Sequence, residues 1–243
     1  MMSDDGATLA LDEALSGVAT ASRGAALLHA RGEAPDLDTA AELPLARAAA
    51  VALDELRTRA GPVLGTVVDC PGCRTSLDVP LMLGDLAATT DPAPSTEVRV
   101  PGAVVRAPTT ADVLAALSAP DPGEALSRRC VRWDSEATVG ATMQEPVRDP
   151  DVLAAVEQTA ERLAGAADTS VHLDCPACGA EVTAAVDLVE LLTDRVADDA
   201  TRVIAVVAEL ASVYGWSERE VLALPDARRA AYLEQARHGA RFR

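Results

Sequence analysis

The chain has 243 residues, 49% of them hydrophobic, which excludes a disordered polypeptide and allows one sizeable core or two modest lobes. Its formal net charge of −17, with arginine as the only strong base, argues against a nucleic-acid binder, which needs a cationic surface to displace phosphate counterions. No run approaches the ~20 apolar residues of a membrane span, and the acidic start Met1-Met2-Ser3-Asp4-Asp5 lacks the basic and apolar regions of a signal peptide.

A cytoplasmic location is therefore expected, where thiols stay reduced. Five cysteines, an odd count, fit a metal site plus one spare better than a disulfide framework. Two Trp, two Tyr and one Phe leave the core to Leu, Val and Ala.

Residues 1–36 read as poorly specified, partly helical or disordered. An Ala-rich stretch over 7–30 is interrupted by Gly17 and Gly24, with Gly32 and Pro35 beyond it. A firmer helix is expected from about Pro44 to Arg59, with Leu45, Ala49, Leu53 and Leu56 on one stripe, stopped by Gly61-Pro62. Thr66-Val67-Val68 before Cys70, and alternating Leu77, Val79 and Leu81 after Cys73, predict two short strands around a tight turn. Residues 88–97 read as a polar loop, and Val98–Arg106 as one strand. A short helix capped by Thr109 or Thr110 carries Val113, Leu114 and Leu117; a second holds Ala125, Leu126 and Cys130.

Residues 134–148 read as a long loop. Asp149-Pro150-Asp151 is a helix start, with an N-cap acid, Pro at the first helical position and a second acid in the first turn. The stripe of that helix is Leu153, Val156, Ala160, Leu163 and Ala167. After Val171-His172-Leu173 and a second cysteine pair, a long helix is expected from Asp187 to Tyr214, with Asp198 and Arg202 as a surface pair at four-residue spacing. Gly215 ends it. Ser217-Glu218-Arg219-Glu220 is a capping box, and a last helix runs from Pro225 to about His238.

The strongest signal is an internal repeat. Asp69-Cys70-Pro71-Gly72-Cys73 returns 105 residues later as Asp174-Cys175-Pro176-Ala177-Cys178, and Leu77, Val79, Leu81, Leu83 and Leu86 match Val182, Ala184, Val186, Leu188 and Leu191. Each copy reads as strand, knuckle, strand, helix. Two thiolates separated by two residues converge on one metal when the chain between them turns tightly, and Pro after the first Cys pre-sets that turn. Gly179 suits a positive backbone angle after the second knuckle; Arg74 stands at the matching place after the first.

Cys70, Cys73, Cys175 and Cys178 thus make a closed Cys₄ shell for a structural zinc ion, with no open position for catalysis. Two alternatives stand beside it: separate thioredoxin-like redox pairs, and half-sites that hold metal between subunits. Against the redox pairs, each knuckle is followed by a strand rather than by the helix of a redox motif.

Cys130 reads as a buried, inert thiol and His172 as a strand residue. No nucleotide-binding glycine loop, nucleophile elbow or His-rich cluster is present. Tyr214, Trp216 and Tyr232 gather most of the few aromatics near the C-terminal end. They either pack a small helical cap or form a partner-docking surface.

The order of helical region, CPxC knuckle, Val104-Val105-Arg106-Ala107-Pro108-Thr109, CPxCG knuckle and long helix, closing on Tyr214-Gly215-Trp216-Ser217-Glu218-Arg219-Glu220-Val221-Leu222-Ala223-Leu224-Pro225 and Tyr232-Leu233-Glu234, resembles small baseplate or baseplate-hub assembly proteins of contractile phage tails and phage-like contractile injection systems. The resemblance runs from about residue 37 onward and is most specific over 214–234. It implies a role in building the baseplate through contacts with hub or wedge proteins, in the cytoplasm or within a tail-like particle.

The resulting expectation is an α+β protein of two pseudo-repeated strand–Cys-knuckle–strand–helix units sharing a zinc site, with helical N- and C-terminal regions. The expected segments are 1–36, a first half over 37–133, a second half over 134–214 and a helical cap over 215–243. The expected role is structural and non-enzymatic, with no nucleic-acid, membrane or small-molecule partner. A zinc-ribbon regulator contacting nucleic acid or transcription machinery is the first rival, and a thiol–disulfide oxidoreductase the second.

Overall fold

The computed structural model describes residues 4–86, 96–134 and 149–240. The chain mixes helices with small sheets in the order α1 (Asp4–Ser16), α2 (Arg23–Ala30), α3 (Leu37–Ala41), α4 (Leu45–Ala60), β1 (Val63–Asp69), β2 (Ser76–Met82), β3 (Glu97–Val100), β4 (Ala103–Arg106), α5 (Thr110–Ala116), α6 (Pro122–Cys130), β5 (Val131–Trp133), α7 (Pro150–Ala164), β6 (Ser170–Asp174), β7 (Glu181–Ala185), α8 (Leu188–Tyr214), α9 (Glu218–Leu222) and α10 (Asp226–Ala240). Among the described residues no helix is long and apolar enough to cross a membrane.

Two compact units emerge, and they differ from the four segments expected. One is Val18–Leu192; the other combines Met1–Gly17 with Thr193–Arg243. Residues 4–36, expected to be partly helical or disordered, carry α1 and α2. Gly17 does follow the end of α1, but Gly24 sits inside α2, where its bare α-carbon lets Ala48 of α4 approach: a Cβ there would meet that methyl at 3.2 Å.

Within Val18–Leu192, the short Ala and Leu side chains of α2, α3 and α4 make one core, around Ala25, Leu28, Ala40 and Ala48. Helix α4 buries Ala49, Leu53 and Leu56 as the stripe predicts, and ends on Gly61 at φ 78°. Its first amide is anchored by Leu45 N–H donating to the Pro108 carbonyl at 2.9 Å.

The run Val98–Arg106 is not one strand. Pro101 and Gly102, the latter at φ 78°, turn the chain back, so β3 and β4 form a hairpin in which Val100 opposes Ala103. Pro presets the first central turn position and Gly takes the positive angle of the second. Strand β5, too short to stand out in the sequence, adds to the other side of β4 in an antiparallel three-stranded sheet of order β3-β4-β5. Helix α7 covers this sheet with Val156, Ala160 and Leu163 against Ala103, Val105 and Ala107. Leu153, expected in that stripe, is exposed, and Thr159 is buried instead.

Helix α5 also turns differently from its apolar pattern. Thr109 is its N-cap, and the buried residues are Thr110, Asp112 and Ala116, while Leu114 and Leu117 face solvent. The cause is Asp112. Its Oδ1 accepts from Arg106 Nη2 and Arg129 Nε, both at 2.9 Å; Oδ2 accepts from Arg106 Nη1 at 2.7 Å, Thr109 N at 3.1 Å and Thr109 Oγ1 at 2.9 Å. One buried carboxylate so joins the end of β4, the start of α5 and the end of α6. Burial alone would raise its pKa, but the bonds from Arg106, Thr109 and Arg129 outweigh that and hold it well below the usual carboxylate range.

In the other unit, α1 and the helices from Thr193 onward supply buried Leu11, Leu15, Val196, Ala200, Leu210, Val221 and Ala236. Arg202 pairs with Asp199, three residues before it, rather than with Asp198. Buried Arg229 pairs with Asp5 of α1 and Asp226 of its own helix. The loops expected over 88–97 and 134–148 fall almost wholly outside the described residues; of the helix expected after β2, Leu83 and Gly84 form a turn instead, with Leu83 N–H donating to the Pro62 carbonyl at 3.0 Å.

Candidate metal centre

Strands β1 and β2 pair antiparallel so that Asp69 opposes Ser76 and Val68 opposes Leu77; β6 and β7 pair so that Asp174 opposes Glu181 and Leu173 opposes Val182. Each hairpin turns through one Cys-x-x-Cys knuckle, and the two turns share their hydrogen bonds. Cys70 N–H donates to the Thr75 carbonyl at 3.0 Å and Arg74 N–H to the Cys70 carbonyl at 2.8 Å. The matching bonds in the second turn are Cys175 N–H to the Ala180 carbonyl at 2.9 Å and Gly179 N–H to the Cys175 carbonyl at 2.8 Å. The residue after each knuckle takes a positive φ, 60° at Arg74 and 72° at Gly179.

The inner faces of the hairpins pack Leu77 and Val182, with Val68, Val79, Leu173 and Ala180, around buried Cys70 and Cys175. Gly72 permits the approach. A Cβ on it would lie 3.3 Å from the Ala180 methyl and 3.5 Å from Cys178 Sγ, both on the opposite hairpin.

The four sulfurs of Cys70, Cys73, Cys175 and Cys178 all lie within 4.8 Å of one another. Cys70 Sγ is 3.7 Å from Cys178 Sγ, and Cys73 Sγ is 3.7 Å from Cys175 Sγ. All are free thiols, two buried and two exposed. A disulfide has sulfurs about 2.05 Å apart. A tetrahedral ion bound at about 2.3 Å to each sulfur sets them about 3.8 Å apart. Two edges of the cage have the second length and no two sulfurs are farther apart than 4.8 Å, so the donor set fits a metal ion with thiolate affinity.

Electrostatics point the same way. The hydroxyl and amide of Thr75, with Cys178 adding to them, bring the Cys73 thiol down to about 6. The Ala180 amide favours a Cys178 thiolate too, but the crowded sulfurs of Cys73, Cys70 and Cys175 push that thiol up to about 12. Four sulfurs this close resist sharing negative charge, and a divalent cation at their centre removes the conflict.

His172 stands in β6 beyond this shell, its Nδ1 3.0 Å from Thr183 Oγ1 and its Nε2 3.2 Å from Ser170 Oγ. Cys130 is half-buried, and burial together with nearby Asp112 raises its pKa, which disfavours a reactive thiolate.

Tyr214, Trp216 and Tyr232 form one cluster. Tyr214 stacks on Trp216 at 4.7 Å, Tyr232 meets the two rings edge-on at 5.7 and 4.9 Å, and Tyr214 Oη–H donates to the Tyr232 carbonyl at 3.3 Å. The rings satisfy one another and remain half-exposed.

The Asp112 hub is what sequence reading missed. Its one local signal is Thr109-x-x-Asp112, a capping box, while its partner Arg129 lies 17 residues away in sequence. Comparison with protein-family models, with curated proteins and with solved structures gives no match.

Proposed function

We propose that the four cysteines hold one structural zinc ion that staples the two hairpins together. The observation that carries this is the sulfur cage, with edges near those of a tetrahedral zinc–thiolate site. With all four positions filled by protein, the ion polarises no substrate and contributes to folding; structural zinc in small peptides contributes about 10–16 kcal/mol of apparent binding free energy at neutral pH. Elemental analysis of purified protein tests it, with about one zinc per chain expected. Zinc-free protein with four titratable knuckle thiols overturns it.

The two hairpins are read as copies of one ancestral strand–knuckle–strand unit, on the strength of the shared register and turn hydrogen bonds. The stapled chain is proposed to act as a non-enzymatic structural or assembly protein of the baseplate of a phage-like contractile injection system, contacting hub or wedge proteins. The resemblance over 214–234 supports this, together with a net charge of −17 that suits a protein partner better than nucleic acid. An exposed apolar patch adds to it. On β1–β2 the exposed pair Val63 and Met82, with Pro80 beside them, is apolar at the end away from the knuckle, while nearer the knuckle Val67 lies opposite Asp78 and Asp69 opposite Ser76; on β6–β7 His172 stands where β1 has Val67, and Ala185 where β2 has Pro80. Affinity capture with the hub and wedge proteins of the same particle tests the role; failure to bind any of them, with zinc and fold intact, removes the baseplate reading.

A further inference from the structure

The cage is asymmetric in a way that a purely structural ion does not require. Cys73 and Cys178 are exposed, and Cys70 and Cys175 are buried. Both 3.7 Å approaches join the sulfur of an exposed cysteine to that of a buried one, and both run between hairpins: Cys73 to Cys175 and Cys178 to Cys70. A solvent-accessible cysteine with a second thiol beside it is the arrangement in which a sulfenic acid condenses to a disulfide.

We propose that the cage is an oxidation site at which each exposed cysteine is resolved by the buried cysteine of the opposite hairpin, giving the crossed disulfides Cys73–Cys175 and Cys70–Cys178. Hydrogen peroxide is the oxidant. Cys73 thiolate attacks one peroxide oxygen, and its sulfur is oxidised to sulfenic acid while the other oxygen leaves as hydroxide and takes a proton to become water. Cys175 thiolate then attacks the Cys73 sulfur; the S–S bond forms, the S–O bond breaks, and the departing hydroxide is protonated to water. Once Cys73 and Cys175 are joined, their sulfurs no longer compete with that of Cys178 for negative charge, and Cys178 with Cys70 repeats the sequence. In sum four thiolates, two peroxides and four protons give two disulfides and four waters.

The disulfides keep the same two hairpins joined, so a covalent link takes over from the ion. The pairing follows from sulfur positions alone. The release of zinc that accompanies it rests on the zinc reading above.

The test uses the full chain, purified under reductant and assayed for zinc before any oxidant is added. Two equivalents of hydrogen peroxide follow, with a colorimetric zinc indicator present, then thiol alkylation, trypsin and mass spectrometry. Trypsin leaves both cysteines of one knuckle in peptide 60–74 and both of the other in 163–195. The expected product is these two peptides joined by two disulfides, with fragmentation assigning Cys73 to Cys175 and Cys70 to Cys178, and about one zinc released per chain.

Separate peptides with a disulfide inside each knuckle overturn the proposal, as do the pairing Cys70–Cys175 with Cys73–Cys178 and sulfinic or sulfonic acids in place of disulfides. Cys73→Ser is a second probe: Cys70–Cys178 still forms and Cys175 stays alkylatable. Zinc-free starting protein overturns the zinc reading by itself, while the disulfide map still decides the pairing.

Discussion

Arg74 and Gly179 hold the same place in the two knuckles and the same left-handed backbone, at φ 60° and 72°. Among the described residues Arg74 is the only non-glycine with a positive φ. Each donates its amide to the carbonyl of the first cysteine of its knuckle at 2.8 Å, so the turn imposes the angle whatever the side chain.

That conformation costs a side-chain-bearing residue about 1–2 kcal/mol, and glycine returns part of the gain through the entropy of the unfolded chain. Arg74→Gly is therefore expected to stabilise the protein by about 0.5–1 kcal/mol in urea denaturation. Gly179→Ala is expected to destabilise it by about 1 kcal/mol, through the backbone alone, because a Cβ at Gly179 has nothing within 4 Å.

Removal of a buried sulfur tests the staple. Cys70→Ser and Cys175→Ser each leave three thiolates, and both are expected to lose zinc in elemental analysis. Their melting temperatures are expected to fall to that of wild-type protein treated with a strong chelator. A variant that keeps wild-type zinc content and stability shows that the ion, if bound, sits elsewhere.

Gly72 sets how closely the knuckles approach. Alanine there meets Ala180 at 3.3 Å and needs a shift of a few tenths of an ångström, whereas valine adds branches with no room beside Cys178 Sγ. Gly72→Val is expected to weaken zinc binding by an order of magnitude or more in chelator competition, and Gly72→Ala to lie near wild type.

Asp112 gives a pH signature. Its folded pKa is depressed below an unfolded value near 3.9. The stability it contributes is complete above the unfolded value and is lost as pH falls from there toward the folded one. Asp112→Asn is expected to cost roughly 2–3 kcal/mol at neutral pH, in the range of charge-assisted bonds lost from a buried group. The gap between variant and wild type narrows below about pH 4. Denaturation midpoints measured from pH 7 down to pH 3 check this, and a gap that stays constant over that range removes the assignment.

The two hairpins allow an internally controlled test of partner contact. Val67 is 62% exposed and lies opposite Asp78, so Val67→Thr, which keeps a β-branched side chain and adds no second charge, is expected to change stability by less than about 0.5 kcal/mol. It is nonetheless expected to weaken capture of the hub or wedge protein. His172→Asp, at the corresponding place on the other hairpin, is expected to leave capture unchanged.

What the sequence made legible was local. Cys-Pro-x-Cys with alternating Leu and Val on either side marks a turn and its strands within a dozen residues, and the caps at Asp149 and Ser217 lie next to what they cap. Contacts that need distant residues were opaque. The buried face of α5 is chosen by Arg106 and Arg129, so Leu114 and Leu117 look like core and are not. The Pro101-Gly102 turn was written in the sequence but masked by β-branched residues on both sides, which read as one run. The grouping of Met1–Gly17 with Thr193–Arg243 depends on the two ends of the chain, which no window along the sequence can compare.

The cage has a topological consequence. With the ion in place, the backbone from Cys73 to Cys175 is a loop tied at its base, and it contains β2 through β6. A peptide bond cut anywhere in that loop opens the backbone without freeing either piece, because both remain tethered through sulfur. In the unfolded chain the same tether removes about 4–5 kcal/mol of conformational freedom for a loop of roughly a hundred residues. A nicked molecule then migrates as two bands once denatured and stripped of metal, and as one particle until then.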